Sequence, residues 1–222
     1  MSALLVGQKA YWVDVTNGND SNDGSSENQA FKTIQYFTSS VNWADGDTLY
    51  VKPSEDGSGN LTYYDFGNNA ANINSSNDLV IIGTGGRDRT IFDAESKNRH
   101  FEKNGTGDLT IKGITFQNGK INNSTGGSID LMGSGKATFI DVTWKNNVAE
   151  ESYYGGAVAV FTSEKVTFTN CIFDSNGIYN TNSNNSRGAS GGAVYFNDSG
   201  ATNFTTITHE FNNCTFKNNY SI

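Results

Sequence analysis

The chain has 222 residues, a formal net charge of −8, 35% hydrophobic and 17% charged residues, 25 glycines, 30 asparagines and a single proline. An acidic chain without a basic stripe lacks the cations that neutralise phosphates, which argues against nucleic acid as a partner. Sparse Leu, Ala, Glu and Lys beside abundant Asn, Thr, Ser, Gly and aromatics disfavour helices and point to an all-β chain rich in turns.

In chain order, the apolar run Ala3-Leu4-Leu5-Val6 is too short for a signal-peptide core or a membrane span, so neither is expected in this chain. Asp20-Ser21-Asn22-Asp23-Gly24 has the oxygen density of a Ca²⁺ loop, which makes Asp20 and Asp23 weak metal candidates. Position 12 of that loop is Phe31 rather than glutamate, so a turn without any cofactor is the competing reading. Phe31, Ile34, Phe37 and Val41 recur at helical spacing and predict one helix over about 31–43. That helix would cap the open end of a repetitive fold, giving an N-terminal cap over 1–46.

From residue 47 a period appears, which is the signature of a solenoid. Leu49, Leu79 and Leu109 follow one another at steps of 30, and Ala137, Val166 and His209 continue the register. Stacking the segments gives apolar rows: Ile111/Phe139/Phe168/Phe211, Ile114/Val142/Cys171/Cys214 and Phe116/Trp144/Phe173/Phe216. A second strand follows a double glycine in Gly126-Gly127-Ser128-Ile129-Asp130-Leu131, Gly155-Gly156-Ala157-Val158-Ala159-Val160 and Gly191-Gly192-Ala193-Val194-Tyr195-Phe196. Two-residue alternation turns Asp130, Ala159 and Tyr195 outward.

Short strands separated by Gly and Asn turns, repeating every 28–30 residues without intervening helices, fit a single-stranded right-handed parallel β-helix over 47–222. An enlarged loop is expected at 177–190, followed by an incomplete last coil that a partner, subunit or further segment should cover. Asparagines at 118, 146–147, 176 and 218–219 end the aromatic strand, where their tolerance of left-handed backbone suits a stacked corner. Cys171 and Cys214 share one inward row and predict a core thiol pair rather than a disulfide or a nucleophile.

Three stretches carry a family resemblance. Tyr11-Trp12-Val13-Asp14 with Asn17-Gly18-Asn19-Asp20 and Phe31-Lys32-Thr33-Ile34-Gln35 resembles the opening of β-helix proteins of the pectin-lyase-like superfamily. Thr90-Ile91-Phe92-Asp93 with Leu109-Thr110-Ile111-Lys112-Gly113-Ile114 resembles an early coil of the same proteins. The GGA[ILV] stretches at 155–158 and 191–194 and the FxxN stretches at 173–176 and 216–219 resemble the polymorphic outer-membrane protein repeat. The resemblance implies the fold; its members include polysaccharide lyases, glycoside hydrolases, phage tailspikes and adhesins, so it does not select an activity.

Arg87, Asp93, Arg99 and His100 are the catalytic candidates, because a lyase needs a cationic base and carboxylates that hold Ca²⁺ against the acid group of the substrate. A turn tied by ion pairs is the alternative. Glycoside hydrolysis needs facing carboxylates, and Asp130 has only Ala159 and Tyr195 as ladder neighbours in this alignment. The loops at 117–125, 146–154 and 176–190 should emerge on one side, where Lys120, Tyr153, Tyr154, Tyr179 and Arg187 are candidate sugar ligands.

These readings favour a non-catalytic extracellular or virion-surface protein of tailspike, tail-fibre or adhesin type. Such a protein would bind cell-surface or environmental polysaccharide as a homotrimer or a larger assembly. A polysaccharide lyase or glycoside hydrolase is one alternative, and a self-stacking filament or particle subunit is another.

Overall fold

The protein is described by a computed structural model covering residues 7–55, 58–59, 61, 64–65, 69–151, 154–161, 164–180, 189–197 and 207–222. Every sheet is parallel and takes its strands from successive turns of the chain, a β-helix-like arrangement. Sheet A joins Ala10–Val13, Asp47–Val51, Leu79–Gly83, Leu109–Lys112, Ala137–Ile140, Val166–Thr169 and Glu210–Asn212. Sheet B runs from Tyr64–Asp65 through Ile91–Asp93, Thr115–Gln117, Thr143–Lys145 and Ile172–Asp174 to Thr215–Lys217. Sheet C holds Lys120–Asn122, Val148–Glu150, Gly177–Tyr179 and Tyr220–Ser221. Sheet D holds Ala71–Ile73, Phe101–Lys103, Ile129–Leu131, Val158–Val160 and Val194–Phe196.

The predicted rows are ladders. Phe139 lies opposite Ile111 and Phe168, and Phe168 opposite Phe211. Their rings stack, at 5.1 Å and 12° for Phe139–Phe168 and at 4.8 Å and 6° for Phe168–Phe211. The neighbouring file is stacked as closely, with Trp144 and Phe173 at 4.7 Å and 3°. Strand spacing of ~4.8 Å is near the thickness of a ring contact, so an aromatic repeated once per turn stacks on its own copy.

Two corners keep the turns in step. Gly113, Asp141, Asn170 and Asn213 share positive φ between sheets A and B, and Asn118, Asn146, Ser175 and Asn218 do so after sheet B. Inside the second corner runs a ladder of amides: Asn147 Nδ2 donates to Asn176 Oδ1 at 2.9 Å, and Asn176 Nδ2 donates to Asn219 Oδ1 at 3.0 Å. The amides also cap carbonyls of Phe116, Trp144 and Phe173, so buried corner polar groups are paired. This ladder explains sheet C, which the sequence suggested only as loops, because chain leaving a registered corner is already aligned for pairing.

Three expectations need correction. The alignment of Leu49 with Leu79 is off by two, since Leu49 lies opposite Ile81 and Asp47 opposite Leu79. A slip of two leaves every side chain on its own face, so periodicity alone could not detect it. The helix is Ile34–Ser40 rather than 31–43. Asp20 accepts hydrogen bonds from Lys32 N, Thr33 N and Thr33 Oγ1, which holds that stretch extended. Thr33 then caps the helix by accepting from Tyr36 N. Finally, the 1–46 region is more than a cap, because Ala10–Val13 is itself a strand of sheet A, paired with Asp47–Val51.

Cys171 and Cys214 are free thiols. Burial pushes the Cys171 thiol up to about 12, so it remains neutral in the core. In the last turn Phe211, Phe216 and Tyr220 are exposed. Among the described residues no helix is long and apolar enough to cross a membrane.

Candidate active site on the outer face of sheet D

Asp130 faces outward from Ile129–Leu131, and its register partner on the preceding turn is Glu102. The outward file therefore reads Asn72, Glu102, Asp130, Ala159, Tyr195. This overturns the expectation that Asp130 has no acidic ladder neighbour. The alignment was hidden because the turn carrying Phe101-Glu102-Lys103 has Asn98-Arg99 where later turns have a double glycine. A step of 28 from Glu102 to Asp130, equal to the coil period, was the signal available.

Arg99 binds both acids. Its Nη1 donates to Asp130 Oδ2 at 2.6 Å and its Nε lies 3.5 Å from Glu102 Oε1, while Nη2 donates to Ser124 Oγ at 2.6 Å. Thr125 Oγ1 donates to the same Asp130 oxygen at 2.7 Å. The 123–125 segment thus folds over the strand, leaving the Arg99 and Asp130 side chains each 3% exposed and Glu102 open at 36%. Asp130 Oδ1 and Arg99 Nε are buried without a hydrogen-bond partner.

Burial pushes the Asp130 carboxyl above the usual carboxylate range, against the lowering influence of Thr125 and Arg99, and the Glu102 charge pushes it further up. Two acids in unlike environments, one desolvated and one facing water, form the arrangement that divides proton-donating from charge-bearing roles. Beyond them the same face turns aromatic. Tyr154 stacks on Tyr195 at 4.1 Å, Phe161 lies 5.9 Å from Tyr195, and Met132 is exposed nearby on that edge. Flat apolar faces beside carboxylates suit a sugar, which presents C–H faces and hydroxyls together.

The other sequence candidates fall elsewhere. Arg87 donates to the Asn170 carbonyl at 2.7 Å on the first corner, and Arg89 pairs with Glu55. Asp93 accepts from Gln117 and Asn118 at the second corner. His100 is wholly buried; its Nε2 faces the Phe92 carbonyl at 3.0 Å and its Nδ1 the Ser128 hydroxyl at 3.0 Å. A carbonyl can only accept, so Nε2 carries the proton and Nδ1 accepts from Ser128. Of the four catalytic candidates, only Arg99 touches the acid pair.

Lys120 pairs with Glu150 at 2.7 Å on sheet C, where Tyr179 is exposed, and Tyr154 belongs to the aromatic group above. Tyr153 and Arg187 lie outside the described residues. Asp20 holds the helix start, and Asp23 accepts from the amide and hydroxyl of Ser25. Among the described residues no three His, Cys, Asp or Glu side chains gather to hold a metal ion. Among the described residues, grooves line the outer face of sheet A and the last turn at Phe196, Phe211, Phe216 and Tyr220.

No protein-family model matches the chain and no curated protein matches it, so the outer-membrane repeat resemblance gains no support. Two solved structures share its fold. A rhamnogalacturonan lyase matches with a TM-score of 0.60 and 16% identity over 94% of this chain and 51% of its own. The GH136 lacto-N-biosidase from Eubacterium ramulus matches with a TM-score of 0.50 and 13% identity over 96% of this chain and 41% of its own. The chain therefore spans about half of the first and less of the second. Both neighbours are carbohydrate-acting enzymes by name, which overturns the expectation that leaned away from catalysis.

Proposed function

We propose that the outer face of sheet D binds a neutral glycan and cleaves it by acid–base chemistry, with Glu102 meeting the substrate and Asp130 as the second carboxylate. The observation that carries this reading is the register of Glu102 with Asp130 on consecutive turns, bridged by Arg99. Adjacent parallel strands lie ~4.8 Å apart, so the two acids belong to one outward file, with Asp130 sealed beneath the 123–125 segment and Glu102 the one open to a substrate. Arg99 positions the pair. Its guanidinium is committed to protein oxygens, leaving it unsuited to neutralising the acid group that a lyase substrate would carry. The net charge of −8 also disfavours anionic glycans.

The scaffold for this site is, in the same reading, one continuous right-handed coil. Support comes from sheets that each take strands from successive turns and from the strong preference of parallel crossovers for that hand. Display outside the cell or on a virion, as a trimer or larger assembly, is part of the proposal; mass measurement in solution tests the assembly.

The deciding experiment is reducing-end release from a panel of neutral and acidic polysaccharides. Turnover of a neutral glycan, reduced about 10²–10⁴-fold in Glu102→Gln with the fold retained, is the expected result. Absence of turnover on every glycan, or full activity in Glu102→Gln, would overturn it.

A further inference from the structure

Away from the acid pair, on the outer face of sheet A, Trp12 and Tyr50 stand on neighbouring strands with rings stacked at 4.9 Å and 27°. They line a groove of about 420 Å³ whose other walls are Glu27, Lys52, Pro53 and Thr84. Both rings are only half-buried. Tyr50 also borders a second groove, of about 340 Å³, lined by Thr48, Asp78, Asp108, Thr110 and Lys112. One face of sheet A thus offers two depressions that share the Tyr50 ring as a wall.

The chemistry of the walls identifies an occupant. Trp12, Tyr50 and Pro53 are flat and apolar, whereas Lys52 lies between Asp14 at 3.0 Å and Glu27 at 3.9 Å. The charged lining residues are Glu27 and Lys52, and Lys52 is already matched by the buried Asp14 behind it, so the rim offers an anion no uncompensated cation and leaves an ammonium donor and the Glu27 carboxylate for hydroxyl groups. A purely apolar partner would strand these charges, and a phosphate or uronate would find no uncompensated cation. A neutral pyranose satisfies both walls, its C–H face on the rings and its hydroxyls on the rim.

We infer that the groove at Trp12, Tyr50, Lys52 and Pro53 is an accessory binding site for neutral oligosaccharide, separate from the acid pair. It shares with the proposed function only the class of ligand. A chain held at both faces would be captured by one and cut at the other, with the gain in effective concentration that tethering brings.

The three tryptophans provide a direct readout, because Trp43 and Trp144 are 5% and 0% exposed, leaving Trp12 as the ring open to a quencher. Acrylamide quenching is measured on full-length Glu102→Gln protein, which preserves substrate, with cello-, manno- and chito-oligosaccharides and with oligogalacturonate. The expected result is protection by a neutral oligosaccharide, weakened roughly tenfold in affinity by Tyr50→Ala. Protection by oligogalacturonate alone, by no sugar, or undiminished in folded Tyr50→Ala would overturn the inference. Should Tyr50→Ala fail to fold, Lys52→Gln decides: lost hydroxyl contacts weaken protection, and unchanged protection overturns the assignment. Turnover at Glu102 is read separately, so either site can fail without the other.

Discussion

The Arg99 guanidinium and the Asp130 carboxylate lie 2.6 Å apart, both nearly sealed from water, although 31 residues separate them in the chain. Removing the Asp130 charge leaves the buried Arg99 with only its long contact to Glu102, and removing Arg99 leaves Asp130 buried without a cation. Asp130→Asn should therefore lower stability by about 3–5 kcal/mol, whereas the double change Arg99→Met with Asp130→Leu should recover much of it. Denaturant unfolding of the three proteins checks this; equal midpoints for the single and double variants would refute it.

His100 provides a pH signature. Burial lowers it from 6.5 to about 4, so between those values the unfolded chain binds a proton that the folded chain refuses. Stability should consequently rise with pH from about 4 to 6.5 and fall as pH drops through that window. The gap corresponds to about 3 kcal/mol. Unfolding free energies measured across the window should flatten in His100→Gln relative to the parent.

Asn176 makes use of its whole amide. Its Oδ1 accepts from Asn147, and its Nδ2 donates to the Trp144 carbonyl and to Asn219. Asn176→Leu fits the volume but strands partners on both neighbouring turns, which should cost about 3 kcal/mol or more. Hydrogen exchange should quicken on sheets B and C of those turns before it does elsewhere.

Lys103 points inward, in file with Ile73 and Leu131, its ammonium capped by the carbonyls of Gly105 and Ser134. Desolvation lowers its pKa despite the nearby Asp78 and Asp108 charges. Between that lowered value and 10.5 the unfolded state holds more protons, so stability should rise with pH on the alkaline side. Lys103→Met should remove this slope in a pH series of unfolding midpoints.

Much of the ladder was legible in the sequence, because Phe139, Phe168 and Phe211 or Trp144 and Phe173 mark the period with bulky side chains that stack only on their own copies. The acid pair was not legible. Glu102 sits in a turn whose entry lacks the double glycine used to align its successors, and a carboxylate has no preference for stacking that would announce the register. Arg99 stands out in the sequence for its charge, but nothing there ties it to Asp130 one full turn further on.

The sequence by itself determined an all-β chain of repeating turns with aromatic and amide files inside, since periodicity fixes which residues face the core. Only the tertiary structure decided which outward residues become neighbours: Glu102 with Asp130, and Trp12 with Tyr50. Outward positions carry no hydrophobic signal to register them, so their pairing follows from how far each turn travels before it closes on the one beneath.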